Sequence, residues 1–127
     1  TPDRLGFIAA LNLCVYAARA YGLTVIDGVQ LDIENDELLH ASCEQGRDLG
    51  FDGKSLIHPN QIAAANTVFA PNEDEIVAAK GIIKAFEAAL AQGKGVVVVN
   101  GRLVENLHVE EAKRQIALAA TIAQLSG

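Results

Sequence analysis

Residues 50–62 read GFDGKSLIHPNQI, and this stretch decides the predicted fold. We expect a helix to end at Gly50 and a short strand to run over 55–57. Pro59 suits the start of the next helix, because a first helical turn does not use the N–H that proline lacks. A strand that ends on His58 and leads straight into a helix is typical of α/β proteins, which place polar groups where strands end. The same residues also fit an ordinary strand-to-helix connection with a surface histidine.

The residues before this stretch predict a second strand parallel to the first. Residues 23–26 form a short apolar run, which is typical of a parallel strand buried on both faces. Asp27 follows at its carboxyl end, and a helix is expected over 37–49. Strand, helix and strand in this order form a βαβ unit with a right-handed crossover.

The residues after this stretch predict a long helix, a hairpin and a final helix. Asn72 and Glu75 have the spacing of a capping box at a helix start. Asn100-Gly101 follows four valines and is a strong signal for a type I′ hairpin turn, which needs positive φ at both positions. A last amphipathic helix is expected from about Val109. One boundary is predicted, between residues 93 and 94.

Length, charge and cysteine content limit the possible functions. The chain has 127 residues, whereas a complete eight-fold βα barrel needs roughly 250. The net charge of −6 and the lack of a basic stripe argue against a nucleic-acid partner. The two cysteines lack metal-site spacing and indicate reduced thiols of a cytoplasmic protein. No apolar run reaches transmembrane length, so no membrane partner is expected.

An acidic loop is the one candidate cation site in the sequence. It contains Asp32, Glu34, Asn35 and Asp36. Known calcium loops also need a glycine at the turn and a distant bidentate glutamate, and neither falls at the required offset. The loop fits better as a solvated helix start whose acidic residues favour the helix dipole. No metal ligand is therefore assigned to this chain.

Three segments carry a resemblance to a known family. GFDGKSLIHPNQI, VFAPNEDEI (68–76) and GKGVVVVNGRLVENLHVEEAKR (93–114) resemble the C-terminal part of the citrate lyase β-subunit and malyl-CoA lyase family, within the HpcH/HpaI aldolases. The resemblance implies an α/β fold in which residues 1–93 are the last βα units of a TIM barrel. Residues 94–127 would then form a C-terminal lid of a hairpin and a helix.

The resemblance also implies an activity. The expected function is a Mg²⁺-dependent carbon–carbon lyase that cleaves or forms a 3-hydroxyacyl-CoA, such as malyl-CoA, citramalyl-CoA or a citryl thioester. Magnesium would act as a Lewis acid, with its ligands outside this chain. The expected assembly is a homo-oligomer, either a trimer or a hexamer. Three alternatives stay open: an acyl-CoA thioester hydrolase on the same scaffold, an aldolase that uses free pyruvate, and a non-catalytic assembly segment.

Five residues are candidates for the site. The resemblance implies that Ile57, His58 and Pro59 bind the substrate at the rim of the site, mainly through their backbone. Asp27 is a further substrate-binding candidate, because functional groups of βα folds gather where strands end. Glu105 aligns with an aspartate of a G-K-M-I-D-x-P segment in the lyases, which reaches a neighbouring subunit's site, and is the predicted catalytic acid or base.

Two further residues bear on these assignments. Leu107 stands where that lyase segment has proline. Lys54 precedes the predicted strand 55–57, so it is expected at the opposite end of the barrel, in a structural role.

Overall fold

The chain folds into an α/β, helix-rich structure, known from a computed structural model that describes residues 3–125. In chain order the elements are α1 (Ile8–Ala20), β1 (Ile26–Asp27), α2 (Asp36–Leu49), β2 (Gly53–Lys54), α3 (Ile62–Phe69), α4 (Glu73–Ala91), β3 (Val97–Val99), β4 (Arg102–Val104) and α5 (Asn106–Leu125), with 3₁₀ turns at Leu5–Phe7 and Pro59–Gln61. The elements form two compact units, the first ending at Phe69 and the second beginning at Ala70.

The first unit is built on a parallel pair of strands joined by a helix. Asp27 in β1 lies opposite Lys54 in β2. The side chain of Asn35 caps α2 by accepting from the Leu38 N–H at 2.9 Å, and Gly50 ends this helix at φ 99°. The predicted βαβ order is therefore present.

The two strands lie at different residues from those predicted. The expected strands were 23–26 and 55–57, but the observed ones are Ile26–Asp27 and Gly53–Lys54. Side-chain oxygens accept hydrogen bonds from backbone N–H groups that a longer strand would use to pair with its neighbour. The Val25 N–H donates to Asp52 at 2.9 Å, and the Ile57 N–H donates to Gln61 at 3.0 Å.

The core of the first unit lies between α2, α3 and the end of β2. Its buried members are Leu39, Cys43, Ala65 and Val68, against which Leu56, Ala64 and Phe69 pack. Burial of these apolar side chains is the main force that holds the two helices together.

The second unit pairs α4 and α5 with a hairpin. Asn72 and Glu75 form the predicted capping box, each side chain accepting from the other residue's N–H at 2.8 Å. β3 and β4 are antiparallel, and the turn has φ 50° at Asn100 and φ 76° at Gly101, as the predicted turn type requires. The core contains Phe86, Val104 and Val109, with Ile82, Ile83, Val97 and Val99 packed against it.

The observed units divide the chain at a different place from the predicted boundary at 93. Helix α4 packs with α5 and β3, so it belongs with the hairpin. The assignment of 1–93 to a barrel and 94–127 to a lid stays a prediction. None of the helices within residues 3–125 combines the length and the apolar character needed to cross a bilayer.

Candidate functional site

A buried ion cluster lies where β1 and β2 end. We use this name for Asp27, Arg4 and Lys54. The Arg4 Nη1 donates to both carboxylate oxygens of Asp27, at 2.7 and 2.9 Å, and the Lys54 Nζ donates to Oδ2 at 3.0 Å. The Gly28 N–H adds a bond to Oδ1 at 2.8 Å. The side chains of Asp27 and Lys54 are each 1% exposed.

The cluster keeps Asp27 ionised. Burial alone would raise the pKa of its carboxyl, but the hydrogen bonds and charges of Arg4 and Lys54 outweigh burial and lower the pKa below its ordinary value. Protein donors occupy both carboxylate oxygens, so the cluster joins the two strand ends to the N-terminal segment. Substrate binding by Asp27 stays a prediction.

Lys54 lies at the end of its strand, not before it. The sequence predicted the opposite end of the barrel, and that placement was wrong because β2 is Gly53–Lys54 and not 55–57. Lys54 therefore faces Asp27 across the sheet.

Two side-chain amides fasten the loop at 28–35 to the segment at 57–61. Gln61 is 1% exposed, and its Oε1 accepts from the Ile57 N–H while its Nε2 donates to the Gln30 carbonyl, both at 3.0 Å. The Asn60 Nδ2 donates to the Ile33 carbonyl at 2.8 Å. The loops that follow β1 and β2 are thus held together at one edge of the sheet.

The first unit also contains the segment predicted to bind substrate. The Ser55 N–H donates to the Asp27 carbonyl at 2.9 Å, so residues 57–59 follow shortly after a residue that is bonded to the end of β1. Ile57 is 51% exposed, and His58 and Pro59 are also exposed. His58 Nδ1 accepts from the Asn60 N–H at 3.3 Å and thereby caps the 3₁₀ turn.

Glu105 belongs to the second unit, whereas the other candidates belong to the first. It is exposed and immediately precedes α5, which begins at Asn106 and not at the predicted Val109. Its carbonyl accepts from the N–H groups of His108 and Val109, and its own N–H donates to His108 Nδ1 at 3.0 Å. Glu105 therefore occupies the cap position of a helix. Its catalytic role stays a prediction.

The described residues do not fit a magnesium ion. Within 3–125, no three His, Cys, Asp or Glu side chains lie where they could hold a metal together. Both oxygens of Asp27 already accept from cations, which a magnesium ion would have to displace. In the acidic loop, Asp32 accepts from the Glu34 N–H and Asn35 caps α2, so these groups organise the helix start.

Sequence reasoning missed Gln61 and the ion partners of Asp27. A signal for Gln61 was present, since Gln61, Ala65 and Val68 have the i, i+4, i+7 spacing of a buried helical stripe. A polar residue in such a stripe must find hydrogen-bond partners when it is buried. The pairing of Arg4 with Asp27 had no local signal.

Comparison with known proteins identifies the class of this chain. Residues 1–59 match the HpcH/HpaI aldolase/citrate lyase family. The chain is 54% identical over 122 residues to a (3S)-malyl-CoA thioesterase of Cereibacter sphaeroides, which covers 96% of this chain and 43% of that protein. It is 40% identical over 118 residues to the citrate lyase subunit beta of Leuconostoc mesenteroides subsp. cremoris, covering 93% and 39%.

Two further likenesses agree with this class. An L-malyl-CoA/beta-methylmalyl-CoA lyase of Cereibacter sphaeroides is 39% identical over 99 residues, covering 78% of this chain and 31% of that protein. The crystal structure of CitE from Mycobacterium tuberculosis, in complex with magnesium, acetoacetate and coenzyme A, superposes with a TM-score of 0.76. At 24% identity, covering 92% of this chain and 42% of that one, it shows the fold alone.

The chain is therefore a relative of the citrate lyase β-subunits and malyl-CoA lyases in the HpcH/HpaI group, and the expected resemblance is confirmed. It spans 43% of the length of the malyl-CoA thioesterases that it matches.

Proposed function

We propose that this chain is the C-terminal part of an enzyme that hydrolyses the thioester of a 3-hydroxyacyl-CoA of the malyl-CoA type. The observation that carries the proposal is the 54% identity to malyl-CoA thioesterases over 96% of the chain, against 39% over 78% for the malyl-CoA lyase. In this reaction water adds to the thioester carbonyl carbon and the carbon–sulfur bond breaks. Coenzyme A leaves as the thiol, and the carbon skeleton of the acid stays intact.

Carbon–carbon cleavage, the reaction implied by the sequence resemblance, is the second candidate. It is supported by the 40% identity to a citrate lyase subunit beta over 93% of the chain. Here the bond between the hydroxyl-bearing carbon and the carbon next to the thioester breaks. The hydroxyl loses its proton as it becomes the carbonyl of an oxo acid, the electron pair of the broken bond forms the enolate of acetyl-CoA, and the enolate then takes up a proton.

The same residues would bind the substrate and transfer protons in both reactions. Ile57, His58 and Pro59 are exposed in the segment that follows β2, where backbone groups can hold the acyl-CoA. The carboxylate of Glu105 would take a proton from water during hydrolysis. During cleavage it would take the proton of the substrate hydroxyl and then deliver a proton to the enolate. A neighbouring copy of the chain in a trimer or hexamer would supply this carboxylate.

The proposed whole is a cytoplasmic TIM-barrel enzyme. Residues 1–93 would supply its last βα units, and residues 94–127 its lid. Magnesium would need ligands from outside this chain, because the described residues do not form a site for it.

The two reactions are separated by their products. The full-length protein is incubated with malyl-CoA, and free thiol is followed with Ellman's reagent while glyoxylate is followed as its phenylhydrazone. Hydrolysis predicts one thiol per malate and no glyoxylate. Glyoxylate with acetyl-CoA and no free thiol would refute hydrolysis and establish the lyase. Absence of all these products would refute both candidates.

A further inference from the structure

Gln61 is a buried side chain that joins the loops following β1 and β2. Its amide accepts from the Ile57 N–H through one atom and donates to the Gln30 carbonyl through the other. A side-chain amide supplies an acceptor oxygen and an N–H donor at the end of one side chain, without a change of protonation. With 1% of its surface exposed, Gln61 has no solvent to replace either partner.

The loop at 28–35 has no regular secondary structure of its own. Gln61 holds it at Gln30, and the exposed Asn60 holds it again at Ile33. Both amides belong to the turn that directly follows the exposed segment 57–59. The position of this segment therefore depends on the same two residues that fix the loop.

We propose that Gln61 is a positioning residue for acyl-CoA binding: it holds segment 57–59 and the loop at 28–35 in one arrangement before the substrate arrives. This inference rests on the proposed function. A binding surface populated only part of the time lowers the apparent affinity by the fraction that is competent. Without Gln61, binding energy would be spent on ordering the two loops, whereas the chemical step, which Gln61 does not touch, would keep its rate.

The test is steady-state kinetics of full-length Gln61→Met with malyl-CoA, well below the unfolding temperature. Methionine has a similar length and cannot make either hydrogen bond. Because two buried hydrogen bonds are lost, we expect KM to rise about tenfold while kcat stays within about threefold. Hydrogen exchange should increase in peptides that cover 28–35 and 55–61. Asn66→Ala, an exposed amide on α3, is the matched control and should change neither value.

Several outcomes would overturn the inference. An unchanged KM in a folded Gln61→Met protein does so, even if its melting temperature falls, because a purely structural residue would behave in that way. A loss of kcat without a change in KM does so as well.

If Gln61→Met does not fold, the exposed Asn60→Ala decides the question. A KM that rises about threefold, as expected when one exposed hydrogen bond is lost, supports the inference, and an unchanged KM overturns it. If the wild-type protein turns over malyl-CoA and the variant has the same KM as wild type, the inference about Gln61 is refuted and the proposed function stands. A wild-type protein with no turnover refutes the proposed function, and the inference with it.

Discussion

Replacement of Asp27 by asparagine should destabilise the protein by several kcal/mol. The carboxylate accepts two hydrogen bonds from Arg4, one from Lys54 and one from the Gly28 N–H. Asparagine has a single acceptor oxygen and no charge, so Lys54 keeps its ammonium group in a site that is 1% exposed without a counter-charge. Breaking a buried ion pair by removal of one partner costs about 3–5 kcal/mol, a large share of the ~5–15 kcal/mol by which domains are stable.

The loss is measured by denaturant unfolding of the full-length protein at pH 7, followed by circular dichroism. The matched control is Asp48→Asn, because Asp48 pairs with its sequence neighbour Arg47 at 3.0 Å and is 69% exposed. The control should change stability by less than about 0.5 kcal/mol. A loss of less than about 1 kcal/mol in Asp27→Asn would show that the charge of Lys54 is compensated in another way, and would refute the reasoning.

The same variant also has a defined pH dependence. Since the pKa of Asp27 is lowered in the folded protein, its carboxylate stabilises the fold fully above the ordinary pKa of 3.8 that it has in the unfolded chain. That contribution is lost as the pH falls through the lowered folded pKa, because the unfolded chain then binds more protons. The stability difference between wild type and variant should therefore shrink below about pH 4. An equal difference at pH 3 and pH 7 would exclude the ionised carboxylate as its source.

Three further variants or modifications test other parts of the structure. Gly46→Ala should cost about 1–3 kcal/mol in thermal or denaturant unfolding, because its Cβ would lie 2.8 Å from a carboxylate oxygen of the buried ion cluster. Gly81→Ala, also within a helix but with nothing within 4 Å, should be neutral or stabilising, and equal effects would contradict this packing. Glu105→Gln should lower kcat by about a hundredfold or more, with an unchanged oligomer on gel filtration. The control Glu110→Gln should leave kcat unchanged. An unchanged kcat in Glu105→Gln would show that Glu105 takes no part in the chemistry. Cys43 should react with iodoacetamide only after unfolding, because it is buried and burial raises the pKa of its thiol. Peptide mass spectrometry measures the labelling. Rapid labelling of Cys43 in the native protein would contradict its place in the core.

The elements that the sequence predicted well depend on local signals. The capping box at Asn72 and the Asn100-Gly101 turn involve hydrogen bonds or φ angles within a few residues, so the pattern contains all the participants. The strands were misplaced because their limits depend on distant partners. The bond from the Val25 N–H to Asp52 spans 27 positions, and no periodicity within one segment encodes it.

The candidate site, like the fold, was predicted from the sequence only in part. The strand expected to end on His58 was wrong, since β2 ends at Lys54, and segment 57–59 lies in an exposed stretch after that strand. The ion partners of Asp27 were not predictable, since Arg4 and Lys54 lie 23 and 27 positions away in the sequence. The pairing of Lys54 with Asp27 follows from the register of two parallel strands, which a two-residue strand leaves undetermined until the tertiary contacts form.

The buried ion cluster and Gln61 share one physical property that separates them from the apolar core. Replacement of a buried ion pair by well-packed apolar residues is often neutral or stabilising, so stability alone does not require an ionic group at this place. A hydrogen bond, unlike an apolar contact, has a narrow range of distance and direction, and leaving it unmade in a buried site is costly. The ends of β1 and β2, the loop at 28–35 and the segment 57–59 are therefore held by contacts that tolerate little displacement. Such contacts suit the edge of the sheet at which a substrate is proposed to bind, because a pre-arranged surface loses less free energy to ordering when the substrate arrives.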